Sequence, residues 1–300
     1  MDLAQETKLL LKKFGLKAKK NFSQNFLVDE HILYTIVKTA EINKDEKIIE
    51  IGPGLGLLSR ALQAEGAEVF AIEQDRDMLS ILRANFALEK NFHLLDGDAL
   101  KILNDFKTYN LPAKNFAPQK LGGLPPTTYK LISNIPYSIT GKLLRLLMDL
   151  ENKPELMVLL LQKEVAERLT ASSGELSILG VLSQMVWEIK IIKIVSKHCF
   201  FPAPKVDSAV VLFRPKNVKL TPALVRIIKI GFASRRQTLA NNLTAGLGIN
   251  KQKAEIIIDE IGLKKLARAQ ELTIQNWQDL EQKIAKILYR NSENPGLPWG

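Results

Sequence analysis

The chain has a single cysteine and only three histidines among its 300 residues. Cys199 alone can form neither an intrachain disulfide nor a cysteine-based zinc site. No two of His31, His93 and His198 stand at metal-ligand spacing, so no metal is expected. Long apolar runs are missing as well. The longest, Leu156–Leu161, falls far short of the roughly 20 residues that cross a bilayer. The first residues lack the apolar core of a signal peptide, and no transit peptide is visible. A cytoplasmic protein without membrane contact is therefore expected. Internal repeats are absent, which excludes solenoids and propellers.

What the chain does have is ordinary core material and an uneven charge. Hydrophobic residues make up 46% and charged residues 25%, enough for a packed core without a staple. At this length one large and one smaller domain are expected. The net charge is +10. Residues 1–23 carry +4 and residues 214–290 carry +9, while 24–213 carry −2 and the last ten −1. Positive ends around a near-neutral middle suit a polyanionic partner, through release of counterions from phosphates. A solvated, solubilising surface is the alternative.

Hydrophobic periodicity predicts strands at 47–51, 68–72, 92–95, 129–133 and 156–161. Helices near 55–64, 78–86, 139–150 and 164–171 fall between and after them. This alternation predicts a parallel sheet covered by helices. Two further β-rich runs, 189–195 and 208–213, predict an antiparallel edge pair. Past Thr221-Pro222 only helical periodicity remains, through Tyr289. The expected division is a catalytic domain over 1–215, a helical domain over 216–290 and a frayed tail over 291–300. Residues 105–128, rich in Pro and Gly toward their end, fit neither pattern and read as an exposed insertion with a helical part.

The chemistry-bearing residues fall at strand ends. The first strand runs into Gly52-Pro53-Gly54-Leu55-Gly56, where glycines let the backbone turn tightly and approach a ligand. The spacing is not that of dinucleotide binders, and Pro53 removes an N–H that a pyrophosphate could use. Glu73 ends the second strand, 21 residues after Gly52, where an acid can accept both hydroxyls of an adenosine ribose. The third strand leads into Asp96-Gly97-Asp98-Ala99, and a carboxylate there can accept from an adenine amine. Taken singly each acid reads as a solvated loop residue; in this order they indicate an adenosine-containing cofactor, with NAD still open.

The fourth strand ends in Ser133-Asn134-Ile135-Pro136-Tyr137. An exocyclic adenine amine is a poor nucleophile because its lone pair is delocalised into the ring. Acceptors on both of its hydrogens favour a pyramidal nitrogen. The Asn134 side-chain oxygen and the Ile135 carbonyl can supply them, with Pro136 stiffening the turn and Tyr137 stacking on the base. An ordinary Asn-x-Pro turn is the plain alternative.

With these motifs in order, the sequence from about Lys19 to Tyr289 resembles the bacterial small-subunit rRNA adenine N6,N6-dimethyltransferases, the kasugamycin-sensitivity family. Asn21-Phe22-Ser23-Gln24-Asn25-Phe26-Leu27 resembles that family's N-terminal cofactor-closing motif. Phe200–Ser208 resembles its segment after the sheet, and Phe232–Leu243 its signature in the helical domain. The gap from Asp98 to Asn134 is longer than the family usually shows.

The resemblance implies a Rossmann-like class I methyltransferase sheet with a small C-terminal all-helical domain, and S-adenosylmethionine as cofactor. It implies cofactor contacts from Asn25, Leu27, Gly52, Gly54, Glu73, Gln74, Asp98, Ala99 and Asn134. Asn134, Ile135, Pro136 and Tyr137 would be catalytic, with Phe200 covering the second face of the adenine. Read from the residues alone, Phe200 is a core aromatic. Arg235 and Arg236 would contact RNA, although a solvated helix start is the other reading. The implied substrate is two adjacent adenosines in the loop of the terminal helix of small-subunit (16S) rRNA, in the immature small subunit, modified by a monomer during ribosome biogenesis. Competing expectations are a macrolide-resistance type large-subunit rRNA dimethyltransferase, a DNA adenine methyltransferase, an idle assembly factor and an NAD-dependent oxidoreductase.

Overall fold

A computed structural model describes residues 2–16, 24–108, 128–216, 218 and 220–289. Asn21, Phe22 and Ser23, most of the Pro/Gly-rich insertion and the C-terminal tail lie outside these residues. The chain separates into two compact units: residues 1–166 with 189–215, and residues 167–188 with 216–300.

The first unit is built on a seven-stranded sheet. Its strands are β2 (Lys47–Ile51), β3 (Glu68–Glu73), β4 (Phe92–Asp96), β5 (Lys130–Asn134), β6 (Leu156–Gln162), β7 (Trp187–Val195) and β9 (Ser208–Pro215), in the spatial order β4-β3-β2-β5-β6-β9-β7. β4 through β6 run parallel. β9 returns antiparallel against β6, with Met157 opposite Phe213 and Gln162 opposite Ser208. β7 forms the outer edge, so the β-rich runs do close the sheet as a terminal pair. The strand order reverses between β2 and β5, the place where open α/β sheets leave a crevice for ligands.

Helices α2 (Glu30–Thr39), α3 (Leu57–Ala64), α4 (Arg76–Asn85), α5 (Ala99–Thr108) and α6 (Thr140–Asp149) accompany these strands. β6 is apolar and buried from Leu156 to Leu161, as expected of a strand covered on both faces. One face of the sheet forms a single apolar cluster with α2 and α3, uniting Ile48, Val69, Ile132, Val158 and Val210 with Ile32, Ile36, Leu58 and Leu62. Lys130 is the exception. Its buried ammonium donates to the carbonyls of Ala40 and Glu41 at the end of α2 and pairs with Glu46 at 2.8 Å.

Two further parts complete this unit, the first of them an amphipathic pattern in the sequence and the second without any counterpart there. The N-terminal helix α1 (Leu3–Lys13) packs Leu11, with Leu3, Leu10 and Phe14, against Phe26, Leu55, Leu57 and Met78. A two-stranded sheet pairs β1 (Phe26–Leu27) with β8 (Phe200–Phe201), setting Leu27 opposite Phe200. Such short strands exist only through their pairing, so no local pattern announces them.

The second unit contains α8 (Ile178–Val186), α9 (Pro222–Gly231), α10 (Leu239–Leu247), α11 (Lys251–Glu260) and α12 (Ile274–Tyr289). α7 (Lys163–Thr170) spans the change of unit. Residues 167–188, expected from sequence in the first domain, thus cluster with the helical unit. The reason is α8, which packs on α9 and α12 with Val181, Leu182, Met185 and Val186 buried. Thr221, Thr238 and Asn250 cap α9, α10 and α11, each accepting from a backbone N–H three residues on. Trp277 of α12 stacks on Phe232 with ring centroids 5.6 Å apart. Its indole lies against Gly231 so closely that a Cβ there would stand 2.4 Å from the ring.

A candidate cofactor and adenine site

One cleft opens at the C-terminal ends of β2, β3, β4 and β5. It encloses about 1080 Å³, solvent-facing space included. Asn25, Leu27, Gly52, Gly54, Glu73, Gln74, Asp98, Ala99 and Asn134 all line it, together with Ile135, Pro136 and Tyr137. Residues separated by more than a hundred positions meet there because the parallel strands end on one edge.

The glycine-rich turn needs its glycines. Gly52, Gly54 and Gly56 all have positive φ, which side chains disfavour, and a Cβ at Gly54 would lie 3.0 Å from the Phe26 ring. The backbone therefore forms the cleft floor without a side chain in the way.

Glu73 is buried and fixed by main-chain donors. Its Oε1 accepts from the N–H groups of Gln74 at 2.8 Å and Asp75 at 2.9 Å, and Oε2 from Gly54 at 3.4 Å. Burial raises its pKa and these donors oppose the rise. Asp98 accepts from the Leu100 N–H at 2.9 Å and so caps α5 at the cleft margin. Glu50, buried at 2% exposure, also lines the cleft and accepts from the Ser59 hydroxyl at 2.5 Å. Sequence reasoning misses it. Its one signal is an acid between isoleucines in the interior of a strand.

Asn134 has an orientation set by its neighbour. Its Nδ2 donates to the Asn25 carbonyl at 3.2 Å. A carbonyl only accepts, so the amide nitrogen faces Asn25 and Oδ1 takes the other direction. The Gln24 side chain donates to Asp75 at 2.8 Å. Residues 24 and 25 are thereby tied to both flanks of the cleft.

Tyr137 is held from behind. Its hydroxyl shares a 2.6 Å hydrogen bond with Ser208 Oγ, and Ser208, at 0% exposure, is the first residue of β9. Burial raises the Tyr137 pKa, and the bond to Ser208 opposes that. Ser208 could not be singled out from sequence, since its value lies in a contact across 71 positions.

Phe200 does not line the cleft. It is 4% exposed and packed in the apolar cluster with Leu27, Ile32, Val195 and Val210. Placing its ring on the base therefore does not follow from this geometry. The β1–β8 pairing makes Phe200 the backing of Leu27, which does face the cleft. Burial and the neighbouring Asp29 carboxylate push the Cys199 thiol up to about 11.

Arg235 and Arg236 lie apart from these residues in sequence, on the turn between α9 and α10. Both are exposed, and neither forms an ion pair among the described residues. Buried Asn242 braces that turn, donating to the carbonyls of Gly231 at 2.6 Å and Ser234 at 3.1 Å. This Asn is thus structural; the arginines are what the turn displays. Among the described residues no helix is long and apolar enough to cross a membrane, and no group of three or more His, Cys, Asp or Glu could hold a metal.

The sequence profile of a family described as ribosomal RNA adenine dimethylase matches residues 15–286. Among similar proteins, a ribosomal RNA small subunit methyltransferase A from Clostridium botulinum is 36% identical over 94% of this chain and 99% of its own length. One of the same name from Dehalococcoides mccartyi is 31% identical over 98% and 95%. A dimethyladenosine transferase from Plasmodium falciparum, of known crystal structure, superposes with a TM-score of 0.71 at 25% identity, covering 87% of this chain and 98% of that one. A 23S rRNA methyltransferase superposes with a TM-score of 0.66 over 87% and 100% at 24% identity, a likeness of fold.

Proposed function

This chain belongs to the ribosomal RNA adenine dimethylase family, and from that premise we propose how its cleft works and on what. It is an rRNA adenine N6-dimethyltransferase. The substrate is small-subunit rRNA, and within it two adjacent adenosines in the loop of the terminal helix, modified during subunit assembly in the cytoplasm by a monomer. Relatives at 31–36% identity over nearly the whole chain carry the small-subunit name, which favours this over the large-subunit alternative.

The observation that carries the cofactor reading is a cleft lined by acids and by no cation. Glu50, Glu73 and Asp98 line it, and among the described residues no Lys, Arg or His does. A pyrophosphate-bearing dinucleotide would meet three acids and no counter-charge. S-adenosylmethionine fits, since its sulfonium is positive and its adenosine offers hydroxyls and an amine to acceptors. Glu73 would take the ribose, Asp98 with Ala99 the adenine, and the turn at Gly52 and Gly54 the methionine end. Bound there, the cofactor supplies an electrophilic methyl group and leaves as a neutral thioether.

The chain's own residues prepare the nucleophile. Asn134 Oδ1 and the Ile135 carbonyl accept from the two hydrogens of the target amine and favour a localised lone pair. Pro136 fixes the turn, and Tyr137, steadied by Ser208, stacks on the ring. Positioning supplies most of the rate, because the methylated amine loses its proton to solvent without a strong base. An unstacked loop adenine suits such a pocket. Arg235 and Arg236 hold phosphates outside it.

The decisive experiment is transfer of labelled methyl from S-adenosylmethionine to unmethylated small subunits, with the product mapped by primer extension. Two dimethylated adjacent adenosines in the terminal loop are expected. Methylation confined to large subunits or duplex DNA would overturn the substrate assignment.

A further inference from the structure

The three acids of the cleft are not equivalent. Glu73 receives three main-chain N–H groups and Asp98 one. Among the described residues Glu50 receives only the Ser59 hydroxyl from α3. The charge of Glu73 on β3 acts on it. The other titratable or polar groups lining the same cleft are Asp98 after β4, Asn134 and Tyr137 after β5, Gln74 after β3, and Gln24 and Asn25 of the N-terminal segment, none of them a cation. The cation next to Ser59, Arg60, is engaged by Glu6 at the surface. A buried carboxylate without a cation is strongly disfavoured.

Resting on the reading of the cleft as an S-adenosylmethionine site, we propose that Glu50 makes the cleft distinguish cofactor from product by charge. Its carboxyl is a neutral acid in the ligand-free protein. It releases its proton to solvent when a sulfonium cation enters the same cleft. It takes a proton back from solvent once the ligand has become the neutral thioether. The cleft then grips the charged substrate form more tightly than the spent form, which favours exchange between the successive methyl transfers that dimethylation requires.

The titration of the ligand-free group agrees with this. Burial pushes the Glu50 pKa up to about 8, the Ser59 hydrogen bond opposes the rise and the charge of Glu73 adds to it. An opposite charge within roughly 4–6 Å lowers an acid's pKa by about 1–3, enough to ionise Glu50 near neutrality.

The test is calorimetric titration of the full chain with S-adenosylmethionine and with S-adenosylhomocysteine, in buffers of different ionisation enthalpy. Both ligands carry the same amino group, so the difference between them is the signal. S-adenosylmethionine should release more than about half a proton at pH 7.5 and S-adenosylhomocysteine clearly less. Because each pKa unit is a factor of ten in affinity, the affinity ratio should rise roughly tenfold from pH 6.5 to 8.5. Glu50→Gln should still bind both ligands and lose both differences. Equal proton release by the two ligands, or a flat ratio, overturns the proposal while leaving the cofactor site standing. Absence of any S-adenosylmethionine binding at every pH would sink the cofactor reading itself.

Should the variant not fold, wild-type melting curves decide. The folded pKa lies above the unfolded one, so the contribution of Glu50 to stability is present below about 4.5 and is lost as pH rises through about 8. Saturating S-adenosylmethionine should offset that loss and S-adenosylhomocysteine should not; identical pH profiles with both ligands refute the coupling.

Discussion

Replacing Asn134 separates the observed tie of its side chain from the catalytic job proposed for it. Its Nδ2 ties the Asn25 carbonyl at 3.2 Å, and in the proposed mechanism its Oδ1 accepts from the target amine. The first job is an ordinary hydrogen bond of about 0.5–1.5 kcal/mol, so its removal should weaken cofactor binding roughly two- to tenfold through the cleft wall at Asn25. The second is a preorganised hydrogen bond at the reacting atom, and deleting such a bond costs about 100- to 1000-fold in kcat. Asn134→Ala removes both. Asn134→Asp restores an acceptor for the amine but sets a carboxylate oxygen against a carbonyl that can only accept. The aspartate variant should therefore recover part of the rate and lose at least as much cofactor affinity as the alanine variant. Single-turnover methyl transfer to unmethylated small subunits at saturating cofactor measures the rate, and calorimetry measures the affinity. If Asn134→Ala transferred methyl at a near-normal rate once saturated, Asn134 would be a tie for the N-terminal segment and nothing more.

Ser208→Ala deletes the 2.6 Å partner of Tyr137 and leaves a buried hydroxyl unpaired, at about 1–3 kcal/mol. Turnover should fall several-fold or more with cofactor affinity unchanged, and unaltered single-turnover rates would remove Ser208 from the site. Replacing Arg235 and Arg236 by Gln should lower the slope of log affinity against log salt by roughly 0.7–0.9 for each phosphate that is no longer neutralised. The melting temperature should hold, since both side chains are exposed and form no ion pair among the described residues; a lower melting temperature with the slope intact would mean that they brace the fold. Gly231→Ala drives a methyl into the Trp277 ring and should destabilise the helical unit by about 1–3 kcal/mol. Denaturant titration would detect this, and a neutral outcome would show that Trp277 can shift at no cost.

The sequence by itself determined what depends on neighbours along the chain. Strand-turn-helix alternation predicted β2 to β6 as a parallel sheet, because burial on two faces leaves an apolar run and glycine marks the turn that follows. The residues at strand ends were legible for the same reason: parallel strands bring every such end to one edge, so Gly52, Glu73, Asp98 and Asn134 converge once the sheet is granted. Only the tertiary structure decided what depends on partners far away. The β1–β8 pair exists through its pairing and turned Phe200 into the core. α8 joined the helical unit because its apolar surface meets α9 and α12. Ser208 acquired Tyr137 as its hydrogen-bond partner, and burial beside Glu73 raised the proton affinity of Glu50. A side chain's identity is local, but its hydrogen-bond partner and dielectric surroundings are fixed only when distant segments meet.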